Sequence, residues 1–536
     1  MLGLMQDRPM LVSGILEHAS KWHGMRECVS LGSTGEPHRQ TYRETANRAS
    51  RLAHALVEMG IGAGDAVGII GMNSHRHLEL WYALSGIGAI AHSINPRLSP
   101  DQIGFVIGDA ADRLLFVDPM FVPLADQVCR DRSLTLPIIS LADEGQSPEA
   151  VAQAYEALLA GRPDKFNWPL FDERTANAIC HTSGTTGNPK GVRYSHRSNV
   201  LHAIAASHKD VLNLGATDVV LPMVPFFHAN GWGMPYACLA YGASLIMPGA
   251  HLEGESLYRL MDQERVTIAL GVPTICQSLL EYLRETGKRM PWLERIAIAG
   301  SAASQDMIEA FAEHRVEVVH AWGMTETSPV ATANAETAST GSPPQAARLA
   351  NKQKQGRPVF GIDITIRDDN GADLPHDGKA FGRLHVRGHW VLQRYHSIDT
   401  EAVDSDGWLD TGDVATIDPD GFMQITDRAK DLIKSGGEWI SSVDLENAAL
   451  SHPYVVGAAA IGVPHPKWDE RPLLLIVPRD GIQVQANEMR QFLAKSVSKI
   501  WLPDDVIVVE ELPLGATGKV QKAALRQQYR RHFSMA

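Results

Sequence analysis

The densest chemical signal in the chain is TSGTTGNPKGV, residues 182–192. Gly184, Gly187 and Gly191 let backbone come close to a ligand, Thr182, Ser183, Thr185 and Thr186 supply hydroxyls, and Lys190 adds a positive charge. Successive backbone N–H groups in such a loop form an anion-binding concavity, so the composition suits a polyphosphate. It is not a Walker A loop, because GxxxxGK[ST] needs Gly where Pro189 stands and Ser or Thr after the lysine. A plain Gly/Thr surface turn is the competing reading, and so many hydroxyls beside a lysine speak against it.

Outward from this loop, short β-branched runs alternate with amphipathic stretches. The pattern predicts strands at 65–71, 113–118, 218–224, 243–247, 266–270, 295–299 and 316–320, with helices at 46–59, 74–90, 255–264 and 304–313. Leu52, Leu56 and Met59 share one helical face. Such alternation means parallel α/β layers. Past about residue 355 the rhythm changes. Segments 361–367, 382–388 and 421–427 read as antiparallel strands between Gly and Asp turns. From Arg428 a final α+β unit follows, with helices at 442–451 and 487–497 and strands at 455–463, 473–478 and 505–510. The expected division is therefore 1–427 and 428–536, with the polar stretch 335–355 as a surface loop.

The chain has 536 residues, 44% hydrophobic and 21% charged, a globular composition long enough for several cores. Lys plus Arg is 49 against 62 Asp plus Glu, a net charge of −13. That balance argues against nucleic acid as the main partner, while leaving room for small anions in a local pocket. No run approaches the roughly 18 apolar residues of a membrane span, so no transmembrane segment is expected. Asp7, Arg8 and Pro9 interrupt any signal-peptide core. Five scattered cysteines without a CxxC pair read as reduced thiols, hence a cytoplasmic location.

Other clusters carry chemistry. In HAWGMTET (320–327), Trp322 offers a flat face, Gly323 close backbone approach, Thr325 a phosphate donor and Glu326 an oxygen ligand for a hard cation. In WLDTGDVATIDPDG (408–421), Asp413 is expected in a Gly-led turn, placed to accept from a ribose diol. TDRAKDLIKSGGEWIS (426–441) joins Arg428, Lys430 and Lys434 to a Gly436–Gly437 pair, and PLGATGKVQK (513–522) puts Lys519 after a Thr–Gly turn. In PFFHANGWGMP (225–235), His228 and Trp232 are four apart, on one face if the segment is helical. Taken singly, each has a bland reading: a core Trp, an ordinary Asp turn, a solvated lysine, a core helix with a satisfied histidine.

Together the motifs, in this order from 182 to 519, resemble the adenylate-forming acyl-CoA synthetases, the superfamily that includes firefly-type luciferases and peptide-synthetase adenylation domains. SINPRL (93–98) and HAWGMTE are similar to a narrower group of medium-chain fatty acid–CoA ligases and 3-(methylthio)propionate–CoA ligases. Asp410 departs from the basic residue many relatives carry before the Thr, and leaves Asp413 intact.

The resemblance implies a large multi-subdomain α/β N-terminal domain with parallel sheets and a small β-barrel-like part, followed by a small mobile α+β domain hinged near Lys430. The loop Thr182–Ser183–Gly184–Thr185–Thr186–Gly187 with Lys190 would wrap the ATP phosphates. Trp322 and Gly323 would meet adenine, with Gly300, Ser301 and Ala302 at its edge. Thr325 would touch the α-phosphate and Glu326 bind Mg2+. Asp413 and Arg428 would hold the ribose, and Lys519 would bridge carboxylate and α-phosphate. His228 counts as catalytic and, with Trp232, Gly300 and Pro329, lines the acyl pocket. Lys434, Ser435, Gly436, Gly437, Glu438 and Trp439 would serve coenzyme A.

The implied reaction takes a small carboxylic acid, ATP and coenzyme A to acyl-CoA, AMP and diphosphate through an acyl-adenylate. The expected acid is 3-(methylthio)propionate or a short- to medium-chain fatty acid, and the resemblance leaves a homodimer open. The alternatives are a medium- or long-chain ligase without a methylthiopropionate role, an adenylate-binding protein that makes no thioester, a luciferase-like oxidase, and a peptide-synthetase adenylation domain. Intact Lys519, Glu326 and Asp413 argue against the non-catalytic reading.

Overall fold

The computed structural model describes residues 3–32, 35–142, 151, 153–182, 188–335, 350–435, 438–479, 481–515 and 520–534. Of the expected site, Ser183, Gly184, Thr185, Thr186, Gly187, Gly436, Gly437 and Lys519 lie outside the described residues, as does most of the expected surface loop 335–355. The chain forms two compact units, 1–363 with 387–409, and 364–386 with 410–536.

The first unit holds two large sheets. One has seven strands, in the order Gln153–Ala154, Ile138–Ser140, Leu115–Val117, Ala66–Ile70, Ile90–Ser93, Ala176–His181, Gly191–Ser195. All its neighbours are parallel except the last pair. The other has nine, in the order Arg357–Pro358, Val330–Ala333, Glu317–Gly323, Arg295–Ile298, Ile268–Gly271, Val219–Pro222, Ser244–Met247, Glu27–Leu31, Pro37–Thr41. Its inner strands are parallel, as the alternating pattern predicts. Their carboxyl ends therefore fall along one edge, which places segments 223–228, 299–302 and 321–327 side by side, the usual ligand edge of such a sheet. Leu257, Leu260, Leu279, Ile296, Phe311 and Val318 fill the core beneath it.

Capping explains where helices begin. Helix Tyr42–Glu58 starts earlier than periodicity alone predicts, because Thr41 and Glu44 form a reciprocal capping box. Helix Pro100–Ala110 uses Ser99 and Gln102 in the same way, with Pro100 in its first turn.

Largely within the second unit, strands Ile362–Arg367, Phe381–Gly388, Leu409–Ile417 and Met423–Arg428 make a four-stranded sheet. A five-stranded sheet follows, built around strand Asp469–Pro478, which pairs antiparallel with the long edge strand Val455–His465. Alternation sorts its side chains. Ala458, Ala460, Leu474 and Ile476 join one core, while Ala459, Ile461, Leu473 and Leu475 join another with Leu525. Ser442 N–H donates to Asp427 Oδ2 at 2.5 Å, tying helix Ser442–Leu450 to the strand before it.

Two expectations are corrected. Asp413 lies in strand Leu409–Ile417 rather than in a turn, because residues 409–417 pair across to Met423–Arg428 with a register shift between Val414 and Ala415. Segment 225–235 is not one helix carrying His228 and Trp232 on a shared face. Ala229, Asn230, Gly231, Trp232 and Gly233 all have positive φ, from 41° to 74°, a short turn of left-handed sense ahead of helix Met234–Tyr241. Among the described residues no helix is long and apolar enough to cross a membrane. All five cysteines are free and buried, and burial pushes the Cys28 thiol up to about 12.

Candidate active site

The antiparallel strands Ala176–His181 and Gly191–Ser195 bring both ends of the Gly/Thr-rich loop together, His181 opposite Gly191. Thr182 N–H donates to the Lys190 carbonyl at 2.9 Å, and Lys190 N–H donates to Thr182 Oγ1 at 3.3 Å. Along the second strand, Tyr194 O–H donates to the Thr325 carbonyl at 2.8 Å. One hydrogen bond thus joins the edge of the seven-stranded sheet to the HAWGMTET turn of the nine-stranded one.

That turn is tightly built. Met324 N–H donates to Thr327 Oγ1 at 2.9 Å, and the chain then doubles back so closely that a Cβ on Gly323 would stand 1.9 Å from the Pro329 carbonyl oxygen. Only glycine fits there. Glu326 is 8% exposed. Tyr395 O–H donates to its Oε1 at 2.7 Å, and Leu392 N–H donates to its carbonyl at 2.8 Å. Lys190 Nζ lies 4.9 Å from the centre of the Tyr395 ring. Burial, then the Glu326 charge, pushes the Tyr395 phenol far above its ordinary range, so it remains a donor. A cavity of about 710 Å3 opens here, lined by Glu326, Tyr395, Ser195, Ser198, Arg193 and Arg394.

The donor set fits a hard cation. Among the described residues no three His, Cys, Asp or Glu side chains gather as a protein cage, whereas one carboxylate beside a phosphate loop is how magnesium is commonly held, with phosphate and water completing its shell. Trp322 sits at the end of its strand, 8% exposed, which also agrees with its bland reading as core. Gly300 and Ser301 are exposed just past strand Arg295–Ile298, at the same sheet edge. His228 and Trp232 are half-buried and Pro329 is buried.

In the second unit, Asp413 faces Arg428 across the strand pair, with Arg428 Nε 3.2 Å from Asp413 Oδ1. Lys430 lies in the turn at 429–431, where Asp431 N–H donates to the Arg428 carbonyl at 2.8 Å. Strands Ile433–Ser435 and Glu438–Ile440 form a hairpin that sets Lys434 opposite Trp439, its Nζ 4.4 Å from the indole. Ser435 is buried, its Oγ accepting from Arg471 at 2.9 Å, so its hydroxyl is engaged inside the fold rather than offered to a ligand. Leu514 and Val520 form a bridge spanning the stretch that contains Lys519.

Sequence reasoning missed Tyr194 and Tyr395. Each acts on a partner 131 or 69 positions away, and neither stands in a Gly- or hydroxyl-rich run.

Residues 16–396 match the AMP-binding enzyme family, and residues 444–519 match the AMP-binding enzyme C-terminal domain. The chain belongs to the AMP-binding enzymes. Within them it is an AMP-forming acyl-CoA synthetase, an ATP-binding type. A 3-methylmercaptopropionyl-CoA ligase of Ruegeria lacuscaerulensis is 47% identical over 536 residues, 99% of each chain. A medium-chain-fatty-acid–CoA ligase of Ectopseudomonas oleovorans is 45% identical over 533 residues, 99% of this chain and 98% of its own. The crystal structure of the anthranilate CoA ligase AuaEII in complex with anthranoyl-AMP superposes with a TM-score of 0.87 at 24% identity, covering 99% of this chain and 100% of its own. That likeness bears out the expected α/β fold of this AMP-binding enzyme.

Proposed function

We propose that this enzyme joins 3-(methylthio)propionate or a short- to medium-chain fatty acid to coenzyme A by way of an acyl-adenylate. The observation that carries the adenylating half is the meeting of Lys190 and Glu326 at Tyr395, where two sequence clusters come together. The names of the relatives at 47% and 45% identity support the acid class.

A carboxylate is a poor acyl donor because its leaving group would be oxide. Attack of its oxygen on the α-phosphorus of ATP expels diphosphate and turns AMP into the leaving group. Negative charge grows on the phosphate oxygens during that attack. Lys519, Thr325 and the loop donors with Lys190 would meet it, as preorganised groups that need not move at the moment of reaction. Glu326 would hold magnesium, which supplies further charge neutralisation at phosphate. Asp413 and Arg428 would fix the ribose. The thiol then attacks the acyl carbon and AMP departs, a step that does not need Lys519. We assign the change of task to movement of 428–536 about Lys430, bringing the Lys434–Trp439 hairpin to the thiol substrate.

The test is AMP release, with and without coenzyme A, on 3-(methylthio)propionate, pentanoate and octanoate. Coenzyme A-dependent turnover of all three, with 3-(methylthio)propionate among the good substrates, is expected, since sulfur for methylene changes affinity by only about 0.3–1.5 kcal/mol. Inactivity on all three overturns the acid class.

A further inference from the structure

Helix His196–Ser207 buries a partly polar face. His196, Asn199, His202, Ala203 and Ala206 recur at helical spacing and are all buried, where larger apolar side chains are usual. His202 lies in the middle of that face, wholly buried. The Val330 N–H donates to its Nε2 at 3.1 Å. A backbone N–H can only donate, so Nε2 carries no proton and the neutral ring keeps its single proton on Nδ1. Burial favours that neutral ring, lowering His202 to about 3. Among the described residues Nδ1 has no hydrogen-bond partner. An N–H buried in that way costs free energy that a phenylalanine would avoid. What the imidazole supplies here, and phenylalanine cannot, is the acceptor for Val330.

Two neighbours of the ring belong to the expected acyl side. One is Pro329, directly before Val330. Trp390 Nε1–H donates to the Val330 carbonyl at 3.0 Å, and the Ser328 hydroxyl donates to the Trp390 carbonyl at 2.8 Å. With His202 on its N–H, Val330 is therefore held at both of its backbone polar groups. The other neighbour is Gly233, which closes the left-handed turn carrying Trp232. Its φ is 74°, and a Cβ there would stand 2.6 Å from both Cε1 and Nδ1 of His202. The ring lies against the backbone of that turn so closely that Gly233 leaves no room for a side chain. His202, Gly233, Val330 and Trp390 all belong to the first unit. The HAWGMTET turn grips Pro329 at a different atom, its carbonyl, which accepts from Met324 N–H at 3.2 Å and from the Thr327 hydroxyl. Loss of the His202 acceptor leaves those two bonds in place.

We propose that His202 is a positioning residue for the acyl substrate, a single ring that registers Pro329 against the turn bearing Trp232 and so sets the relative fit of shorter and longer acids. The inference rests on reading Trp232 and Pro329 as walls of the acyl pocket. Two walls referred to one ring keep a fixed separation, and a wall released from that ring yields to a longer chain.

The test compares kcat/KM for octanoate and 3-(methylthio)propionate with the KM for ATP, and follows Tm alongside. His202→Phe keeps a ring and removes the acceptor. It should raise the octanoate to 3-(methylthio)propionate ratio by roughly three- to tenfold, the worth of one hydrogen bond, with the KM for ATP at its wild-type value. His202→Gln, whose Oε1 can accept in place of Nε2, should return the ratio to that of the wild type. Gly233→Ala should also move the ratio, and much less so once His202→Ala has vacated the space, a coupling read by a double-mutant cycle. If Gly233→Ala does not fold, the Phe and Gln variants decide alone. A Phe variant with a lower Tm and an unchanged ratio overturns the proposal, as does a Gln variant no better than Phe. Additive effects at 202 and 233 overturn it too, and so does a KM for ATP that rises together with the KM for the acids. Trp232→Ala separates the two levels. If it leaves the ranking of acids unchanged, the pocket reading fails and takes the inference with it. If it changes the ranking while His202→Phe does not, only the inference fails.

Discussion

On the phosphate side, the turn is braced at several points. Glu326 is fixed through its carboxylate by Tyr395 and through its carbonyl by Leu392, and the neighbouring Thr325 carbonyl by Tyr194. On the expected acyl side, five consecutive residues run at positive φ, and the Asn230 carboxamide is buried with no hydrogen-bond partner among the described residues for either of its atoms. A non-glycine residue in that conformation costs roughly 1–2 kcal/mol, less for asparagine. The contrast separates two tasks. On the proposed assignment of the two sides, chemistry shared by every acid would rest on a cross-braced network, and selection among acids on strained backbone.

The largest expected effect breaks the phosphate side. Lys519→Ala should lower adenylation on the order of 10²–10³ for every acid alike, and leave thioester formation from supplied acyl-AMP largely intact. Equal loss in both half-reactions would remove the division of labour. Next, Trp232→Ala should alter the ranking of acids instead of the overall rate. The ratio of kcat/KM for octanoate to that for 3-(methylthio)propionate should rise on the order of ten- to hundredfold, since one methylene is worth roughly 1–3 kcal/mol. An unchanged ranking would make Trp232 core packing. Tyr395→Phe removes one charge-assisted hydrogen bond to Glu326, worth roughly 1.5 kcal/mol, so the KM for magnesium-ATP should rise about tenfold with acid ranking preserved. A shift in ranking would mean the two sides are coupled. Smallest of all, Ala229→Gly relieves one positive-φ residue. It should stabilise the fold by about 0.5–1 kcal/mol, read as a higher Tm, because the relief exceeds the entropy glycine adds to the unfolded chain.

Much of the scaffold was legible. The run at 295–299 became strand Arg295–Ile298, and the stretch at 304–313 became helix Gln305–Glu313. Local periodicity records which face is buried, so it finds strands and helices whose packing is regular. It could not find the hand of the turn at 229–233, because four-residue spacing in a sequence is blind to whether the coil is right- or left-handed. It also misplaced Asp413, since Gly and Asp in LDTGD signal a turn equally well when they mark a strand irregularity. Tyr395 lay beyond reach for another reason. Its role depends on Lys190 and Glu326, distant from it in sequence, meeting it in the fold, and no short window of sequence holds that information.

The left-handed turn at 229–233 also constrains how such an enzyme can diversify. Surface loops usually absorb insertions, since extra residues bulge into solvent. A reversed coil wedged between Phe227 and helix Met234–Tyr241 has no such freedom, because one added or missing residue would swing Trp232 to another bearing and leave a bulky side chain in a backbone state it tolerates poorly. Descendants of this scaffold that come to prefer other acids should therefore differ from it by exchange of side chains at fixed segment length, and alignments across that segment should run without gaps.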